Sequence, residues 1–134
     1  MTAEPALFSI LRQGSYLIVS IHTALNDSQL VRFQEDLIAE IGRHRARGVI
    51  IDVAALDVID SFGSLTLRNT AEMARLRGAL MVIVGIQPDV ASAMVALGMG
   101  IGPVYTALDL EEGMEYLGEH IARAPGGWAV DARR

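Results

Sequence analysis

Short apolar blocks alternate with longer amphipathic stretches along the chain. Near the N-terminus, "ALFSILRQGSYLIVSIHTAL" holds two apolar runs of strand length around Gln13-Gly14-Ser15, which predicts a β-hairpin. From Asn26 to about Arg47, apolar residues recur at helical spacing, and Asn26, Asp27 and Ser28 are possible caps. The apolar positions of this predicted helix are Leu30, Phe33, Leu37, Ile38 and Ile41.

Two nearly continuous apolar runs come next, "GVIIDVAAL" (48–56) and "ALMVIVG" (79–85). Such runs are typical of strands that are covered on both faces, as in a parallel sheet. The stretch between them repeats at helical spacing, and Gly78 stands where a helix needs a left-handed C-terminal residue. The pattern therefore predicts a strand, a helix and a strand. The helical stripe consists of Leu65, Asn69, Met73 and Leu76.

The same alternation continues toward the C-terminus. Pro88 suits the first turn of a further helix, and a short strand is expected around Val104 and Tyr105. The apolar positions of that helix are Val90, Met94 and Leu97.

A last helix and a tail complete the pattern. Thr106 and Asp109 have the spacing of a capping box, which predicts the start of this helix. The tail "PGGWAVDARR" (125–134) has no periodicity, so we expect a flexible end with Trp128 outside the core. The apolar positions of the last helix are Met114, Leu117 and Ile121.

The order of these elements predicts an α/β fold: an N-terminal β-hairpin followed by βαβ units, with a mostly parallel open sheet covered by helices. We expect a single domain over residues 1–124 and a tail over 125–134, because 134 residues are too few for two ordinary domains. Functional sites of open α/β sheets gather outside the carboxyl ends of the parallel strands.

Composition excludes several classes of protein. Hydrophobic residues make up 51% of the chain, which is typical of a folded protein rather than a disordered one. The absence of cysteine excludes disulfides, thiol nucleophiles and cysteine metal sites. The uncharged stretch 90–108 contains three glycines and Pro103, which would break a membrane-spanning helix. No signal-peptide pattern is found at the N-terminus, so we expect a cytoplasmic protein without a membrane span.

The charge pattern argues against nucleic-acid binding. The net charge is -5, and all 11 basic residues are arginine. Their densest cluster lies at the end of a predicted helix, where cations complement the helix dipole, so we interpret it as a solvated helix end. The cluster consists of Arg43, His44, Arg45 and Arg47.

Ser61 is the main candidate for chemistry, because "VIDSFGSLTLRN" (58–69) changes there from a strand-like run to a helical pattern. A serine at such a corner is a helix cap, a nucleophile or a residue that another protein modifies. A nucleophile elbow reads Gly-x-Ser-x-Gly, but Ile59 occupies the first glycine position. The histidines, His22, His44 and His120, lie on separate predicted elements, which makes a serine hydrolase a poor candidate.

Two other patterns indicate no cofactor and no metal. Asp52 has the position of a phospho-acceptor aspartate, but the chain lacks the lysine and the acidic pair that such a site needs. We expect Asp52 instead to end its strand by accepting backbone hydrogen bonds in the next loop. The glycine-rich "GMGIG" (98–102) lacks the Lys-Ser/Thr of a phosphate loop and follows a predicted helix.

Four collinear motifs give the chain a family resemblance: "FQEDL" (33–37), "VIDSFG" (58–63), "GIQPDVA" (85–91) and "TALDLEEGM" (106–114). Together they resemble the STAS-domain family, and within it the RsbS-type scaffold subunits of bacterial stressosomes. The resemblance implies a non-enzymatic protein in a large hetero-oligomeric assembly with RsbR-type sensory subunits. It also implies that this assembly sequesters an RsbT-type serine/threonine kinase, that phosphorylation of Ser61 releases the kinase, and that an RsbX-type phosphatase resets the serine.

The residues around Ser61 define the expected partner-binding surface. Gly63 departs from the RsbS pattern and is similar to the Asp-Ser-x-Gly of free anti-sigma-factor antagonists, which remain the alternative. Ser64, Thr66 and Ser92 are weaker candidates for modification and are more simply helix-surface hydroxyls. The expected partner-binding residues are Asp57, Asp60, Phe62, Gly63 and Ser64.

Overall fold

The structure is a computed structural model that describes residues 6–98 and 104–122. Strands and helices alternate through most of the described chain. The strands are β1 (Phe8–Gln13), β2 (Tyr16–Ile21), β3 (Gly48–Asp52), β4 (Leu80–Val84) and β5 (Tyr105–Ala107). The helices are α1 (Asp27–His44), α2 (Ser61–Leu76), α3 (Pro88–Leu97) and α4 (Leu110–Ala122).

These strands form one sheet in the order β1-β2-β3-β4-β5. The β1–β2 pair is antiparallel and turns through Gly14, whose φ of 62° is left-handed, so the predicted hairpin is confirmed. All other neighbouring strands are parallel. The carboxyl ends of β2, β3, β4 and β5 therefore meet at one edge of the sheet, where functional sites of such folds gather.

Helices cover both faces of the central strands. On one face, Val49 and Ile51 of β3 belong to a buried cluster that includes residues of α1, α2 and α3. On the other face, Ile50 packs in a cluster with Leu117 of α4. Because all three β3 residues are fully buried, the prediction of a strand covered on both faces is confirmed.

Helix α1 has a capping box at its N-terminus and a left-handed residue at its C-terminal end. The side chain of Asn26 accepts a hydrogen bond from the backbone N–H of Gln29, and the Gln29 side chain accepts one from the backbone N–H of Asn26. At the other end, Arg45 is left-handed with φ 51°, and Arg43 and His44 both contact Glu40. The helix thus ends at His44, three residues before the predicted end, and its basic residues occupy the last turn.

Two predicted boundaries are wrong. Strand β3 ends at Asp52 rather than continuing through 56, and the Asp52 carboxylate accepts the backbone N–H of Ala54 at 2.9 Å, as expected for that aspartate. The capping box proposed for Thr106 and Asp109 does not form, because Thr106 lies in β5. Asp109 instead accepts the N–H of Glu112, whose carboxylate accepts the N–H of Leu108.

The residues whose helical spacing predicted α2 face solvent. These residues, Leu65, Asn69, Met73 and Leu76, are all exposed. The buried face of α2 carries smaller residues, since α2 packs against α1 and β4. Leu97, predicted with the apolar face of α3, is also exposed. The residues that α2 buries are Gly63, Ser64, Thr66, Leu67, Thr70 and Ala74.

Two sequence predictions lie outside the described residues: the flexible tail (125–134) with Trp128, and most of the "GMGIG" segment. Across residues 6–98 and 104–122, no helix has both the length and the apolar character that crossing a membrane requires.

Candidate functional site

The candidate site lies at the carboxyl edge of the sheet, in the loop that joins β3 to α2. Backbone bonds fix the loop to its neighbours, because Val53 donates to the carbonyl of Val84 and Leu56 donates to that of Val53. The side-chain amide of Gln87, at the start of α3, donates to the carbonyl of Ala54 at 2.7 Å. These bonds hold the loop that leads to Ser61 in one position relative to the sheet.

Asp60, and not Ser61, caps helix α2. Its backbone is extended, with φ -89° and ψ -178°, and its Oδ1 accepts the backbone N–H of Gly63 at 2.7 Å. Its carbonyl also accepts the N–H of Ser64. Ser61 is therefore the first residue of the helix, and its side chain is exposed. Within the described part of the chain, the hydroxyl of Ser61 makes no hydrogen bond.

Gly63 explains why the motif reads Asp-Ser-x-Gly. A Cβ at Gly63 would lie 3.2 Å from Oδ1 of Asp60 and 3.4 Å from Cγ2 of Ile59. The contact with Asp60 is tight, so a larger residue would press on the carboxylate that caps the helix. Glycine at this position leaves room for the short bond from its own N–H to Asp60.

Three of the predicted partner-binding residues are available to a partner. Asp57 and Asp60 are exposed on the loop, and Phe62 is half-buried at the start of α2. The loop from Val53 to Asp60 contains no arginine, lysine or histidine, so its exposed charges are both negative. The loop that a partner meets on the N-terminal side of Ser61 is therefore acidic.

The structure buries the other predicted residues. Gly63 is buried, and Ser64 is only 2% exposed, so neither presents a side chain to a partner. The expectation that Ser64 and Thr66 are helix-surface hydroxyls is wrong, because both lie on the face of α2 that packs inward. The Oγ of Ser64 has no hydrogen-bond partner among the described residues. Ser92 of α3 is exposed, as predicted.

Nothing in the described geometry activates Ser61 as a nucleophile. His44 contacts Glu40 on α1, and His120 stacks on Tyr116 of α4 while its Nδ1 lies 2.9 Å from the Tyr116 carbonyl. None of the three histidines, His22 included, is hydrogen-bonded to Ser61, whereas a serine hydrolase needs a base within hydrogen-bond reach.

The sequence interpretation missed one feature, an apolar hollow beside the start of α2. Its walls include Ala24 and Leu25 of the β2–α1 loop. No periodicity marks them, because the hollow depends on how two separate chain segments, 21–30 and 56–67, meet.

A family model described as the STAS domain matches residues 8–109, more than half of the chain. The chain belongs to the STAS-domain family. The five-stranded mixed sheet with its four described helices is the α/β fold expected from the sequence, so the predicted fold class is confirmed.

Two solved structures share both fold and sequence with this STAS domain. A serine-to-glutamate variant of RsbS from Moorella thermoacetica is 31% identical with a TM-score of 0.74, and the match covers 89% of this chain and 100% of that one. A chain of the stressosome, which is described as a signal integration and transduction hub, is 30% identical with a TM-score of 0.68. The match covers 87% of this chain and 100% of that one. The likeness to stressosome subunits that the motifs indicated is confirmed.

Two further relatives carry narrower information. The RsbT co-antagonist protein RsbRA of Bacillus subtilis (strain 168) is 31% identical over 84 residues, which is 63% of this chain. The matched region spans 31% of that longer relative. The anti-sigma-factor antagonist SpoIIAA in its unphosphorylated form has a TM-score of 0.67 over 84% of this chain and 97% of that one. Because it is 12% identical, it shows the shared fold alone.

Proposed function

We propose that this STAS domain is a non-enzymatic scaffold that holds an RsbT-type serine/threonine kinase and releases it when Ser61 is phosphorylated. The observation that carries the proposal is the state of the Ser61 hydroxyl. It is exposed at the first position of α2, while Asp60 performs the capping that would otherwise occupy it. A kinase can reach this oxygen without unfolding the helix.

Phosphorylation would change the electrostatics of the site sharply. A phosphoserine adds about 1.5 to 2 negative charges at neutral pH. The N-terminus of α2 would stabilise this charge, but the nearby carboxylates of Asp57 and Asp60 would oppose it. A docked kinase would also have to bury the new dianion next to the phosphates of its own nucleotide, at a large desolvation cost. Release of the kinase follows from that repulsion.

The relatives support the choice of partners. RsbRA is named for its co-antagonism of RsbT, and a chain of the stressosome has the same fold at 30% identity. We propose a large cytoplasmic hetero-oligomer in which this chain packs with RsbR-type subunits, and an RsbX-type phosphatase that removes the phosphate from Ser61. The exposed apolar stripe of α2 supports packing with another protein, because a monomer gains nothing from exposing it.

A free anti-sigma-factor antagonist is the second candidate, and the Asp-Ser-x-Gly pattern that ends at Gly63 favours it. Such a protein would bind a sigma-inhibiting kinase directly and would stay small. Size-exclusion chromatography of the native complex from cells separates the two candidates, because a stressosome subunit elutes in an assembly of roughly megadalton size and an antagonist does not. A third reading, a serine hydrolase, predicts labelling of Ser61 by a fluorophosphonate probe.

The decisive experiment compares variants of Ser61 in a pull-down of the kinase with the RsbR-type partner present. Ser61→Asp should weaken kinase capture about tenfold or more, equivalent to ~1.4 kcal/mol. Ser61→Ala should capture the kinase normally but fail to release it when ATP is added. Ser92→Asp is the matched control, because it places the same charge at another exposed serine on a helix. Equal capture by Ser61→Asp and Ser92→Asp would contradict the proposal.

Phosphopeptide mass spectrometry tests the same site in cells. Trypsin yields the segment 48–68 as one peptide, which contains Ser61, Ser64 and Thr66. We expect stress-dependent phosphate on Ser61 and none on the other two, because their side chains are buried. Phosphate on Ser64 in folded protein, with Ser61 unmodified, would move the switch elsewhere.

A further inference from the structure

The hollow beside the start of α2 is lined almost entirely by apolar residues. Its walls come from the end of β2, the β2–α1 loop, the start of α1, the loop before α2 and the first turns of α2. Every lining residue except Asp60 is apolar or glycine. The hollow has a volume of about 80 Å³, so it holds more than one water molecule.

Water is poorly held in this hollow. An ordered water needs two to four polar partners, whereas Asp60 alone among the lining side chains is polar, and its Oδ1 already accepts the N–H of Gly63. The remaining walls, such as Leu30 and Ile59, offer no polar side-chain atom. An apolar group that displaces loosely held water from an apolar site gains free energy. The hollow therefore suits an aliphatic or aromatic side chain.

The neighbouring residues indicate which protein supplies that side chain. Asp60 directly precedes Ser61 in the chain and Val58 lies three residues before it, so a kinase surface that reaches the Oγ of Ser61 would extend toward both. Both residues line the hollow, so the kinase surface covers its mouth. Val58 is 58% exposed and extends the apolar wall outward. A covered but empty hollow would forfeit packing contacts on one side.

We propose that this hollow is an anchor pocket for the kinase that phosphorylates Ser61, and that it takes one aliphatic or aromatic side chain from the kinase surface. A basic residue of the kinase beside that side chain would face Asp60, the exposed acidic residue of the lining. This inference rests on the proposed function and adds the contact by which the kinase is held. Apolar anchors in desolvated pockets carry most of the binding energy of many interfaces.

The test fills the pocket from within. Ala24 lines the hollow, and Ala24→Leu places three further carbons there, whereas Ala55→Leu makes the same change at an exposed alanine outside the lining. A second pair removes the rim: Val58→Ala, with Val95→Ala on α3 as the matched control at another exposed valine. Affinity for the RsbT-type kinase is measured on the full chain, and thermal unfolding confirms that each variant is folded.

We expect Ala24→Leu to weaken kinase binding about tenfold and Val58→Ala about threefold, with both controls within about twofold of the wild type. Kinase binding that is the same for Ala24→Leu as for Ala55→Leu, and for Val58→Ala as for Val95→Ala, would overturn the anchor pocket alone. A small apolar molecule found in the hollow by native mass spectrometry, with kinase binding unchanged on its removal, would also overturn it. A wild-type protein that neither binds the kinase nor is phosphorylated on Ser61 would overturn the proposed function as well.

Discussion

Ser64 provides a sharp test of the described packing, because the structure predicts that removing its hydroxyl stabilises the protein. The residue lies in the first turns of α2, one helical turn after Ser61, and is 2% exposed. Its Oγ has no hydrogen-bond partner among the described residues. A buried polar group without a partner has lost its hydrogen bonds to water and gained none in return.

The expected gain in the free energy of unfolding has two contributions. A buried hydroxyl without a partner costs about 1 to 3 kcal/mol of folding free energy, and Ser64→Ala removes that cost. Alanine also has a higher helix propensity than serine, by about 0.5 kcal/mol. The removed oxygen leaves a small void, which offsets part of the gain. We therefore expect Ser64→Ala to raise the free energy of unfolding by ~1 to 2 kcal/mol.

Urea denaturation measures this difference against a matched control. Ser92→Ala makes the same substitution at an exposed position of α3 and should gain only the propensity contribution of about 0.5 kcal/mol. With a slope near 2 kcal/mol per molar urea, Ser64→Ala should raise the midpoint by roughly 0.5 to 1 M. A midpoint no higher than that of Ser92→Ala would show that the Ser64 hydroxyl has a partner or that the site is hydrated. Kinase capture should be unchanged, because a buried side chain does not contact the kinase.

Three further substitutions test other contacts by urea denaturation. Asp60→Ala removes the helix cap and should lower the free energy of unfolding by ~1 kcal/mol, whereas Asp60→Asn keeps an oxygen acceptor and should lose less. Gly85→Ala should cost ~2 kcal/mol or more, and clearly more than Gly78→Ala. Both glycines have a positive φ, but only at Gly85 does a Cβ approach other atoms, at 3.0 Å from Asp52. Thr70→Val should lower the free energy of unfolding by about 1 kcal/mol, since it removes the hydroxyl that accepts a hydrogen bond from Gln34. An unchanged free energy of unfolding would contradict this contact.

The fold was largely predictable because it depends on local patterns that survive in three dimensions. The fully buried β3 and β4 produce continuous apolar runs, and the capping box at Asn26 marks the start of α1 in the sequence itself. Boundaries were less accurate where side-chain chemistry competes. The run after Asp52 still reads as apolar, but its carboxylate bonds the N–H of Ala54 and turns the chain out of the sheet.

The site was predictable only in part, because capping and burial depend on neighbours. Asp60 and Ser61 are both suitable caps by residue type, and only the bond from Gly63 to Asp60 distinguishes them. The burial of Ser64 depends on the elements that pack against α2, which no spacing within the helix reveals. The anchor hollow needs two chain segments that are distant in sequence, so no single stretch of sequence carries its signal.

The exposed stripe of α2 shows that helical periodicity alone does not tell which face of a helix is buried. On its buried side the helix carries small residues, and Thr70 there accepts a 2.9 Å hydrogen bond from Gln34 of α1, so the two helices lie close together. Leu67 is buried there, but Leu65, Met73 and Leu76 lie outside, with Leu76 75% exposed, so the helix also carries apolar residues on its solvent face. Exposing such apolar residues to water costs free energy, and burial against another protein removes that cost. Because Ser61 begins this same helix, a protein packed along the stripe would lie next to the residue that the proposed switch modifies.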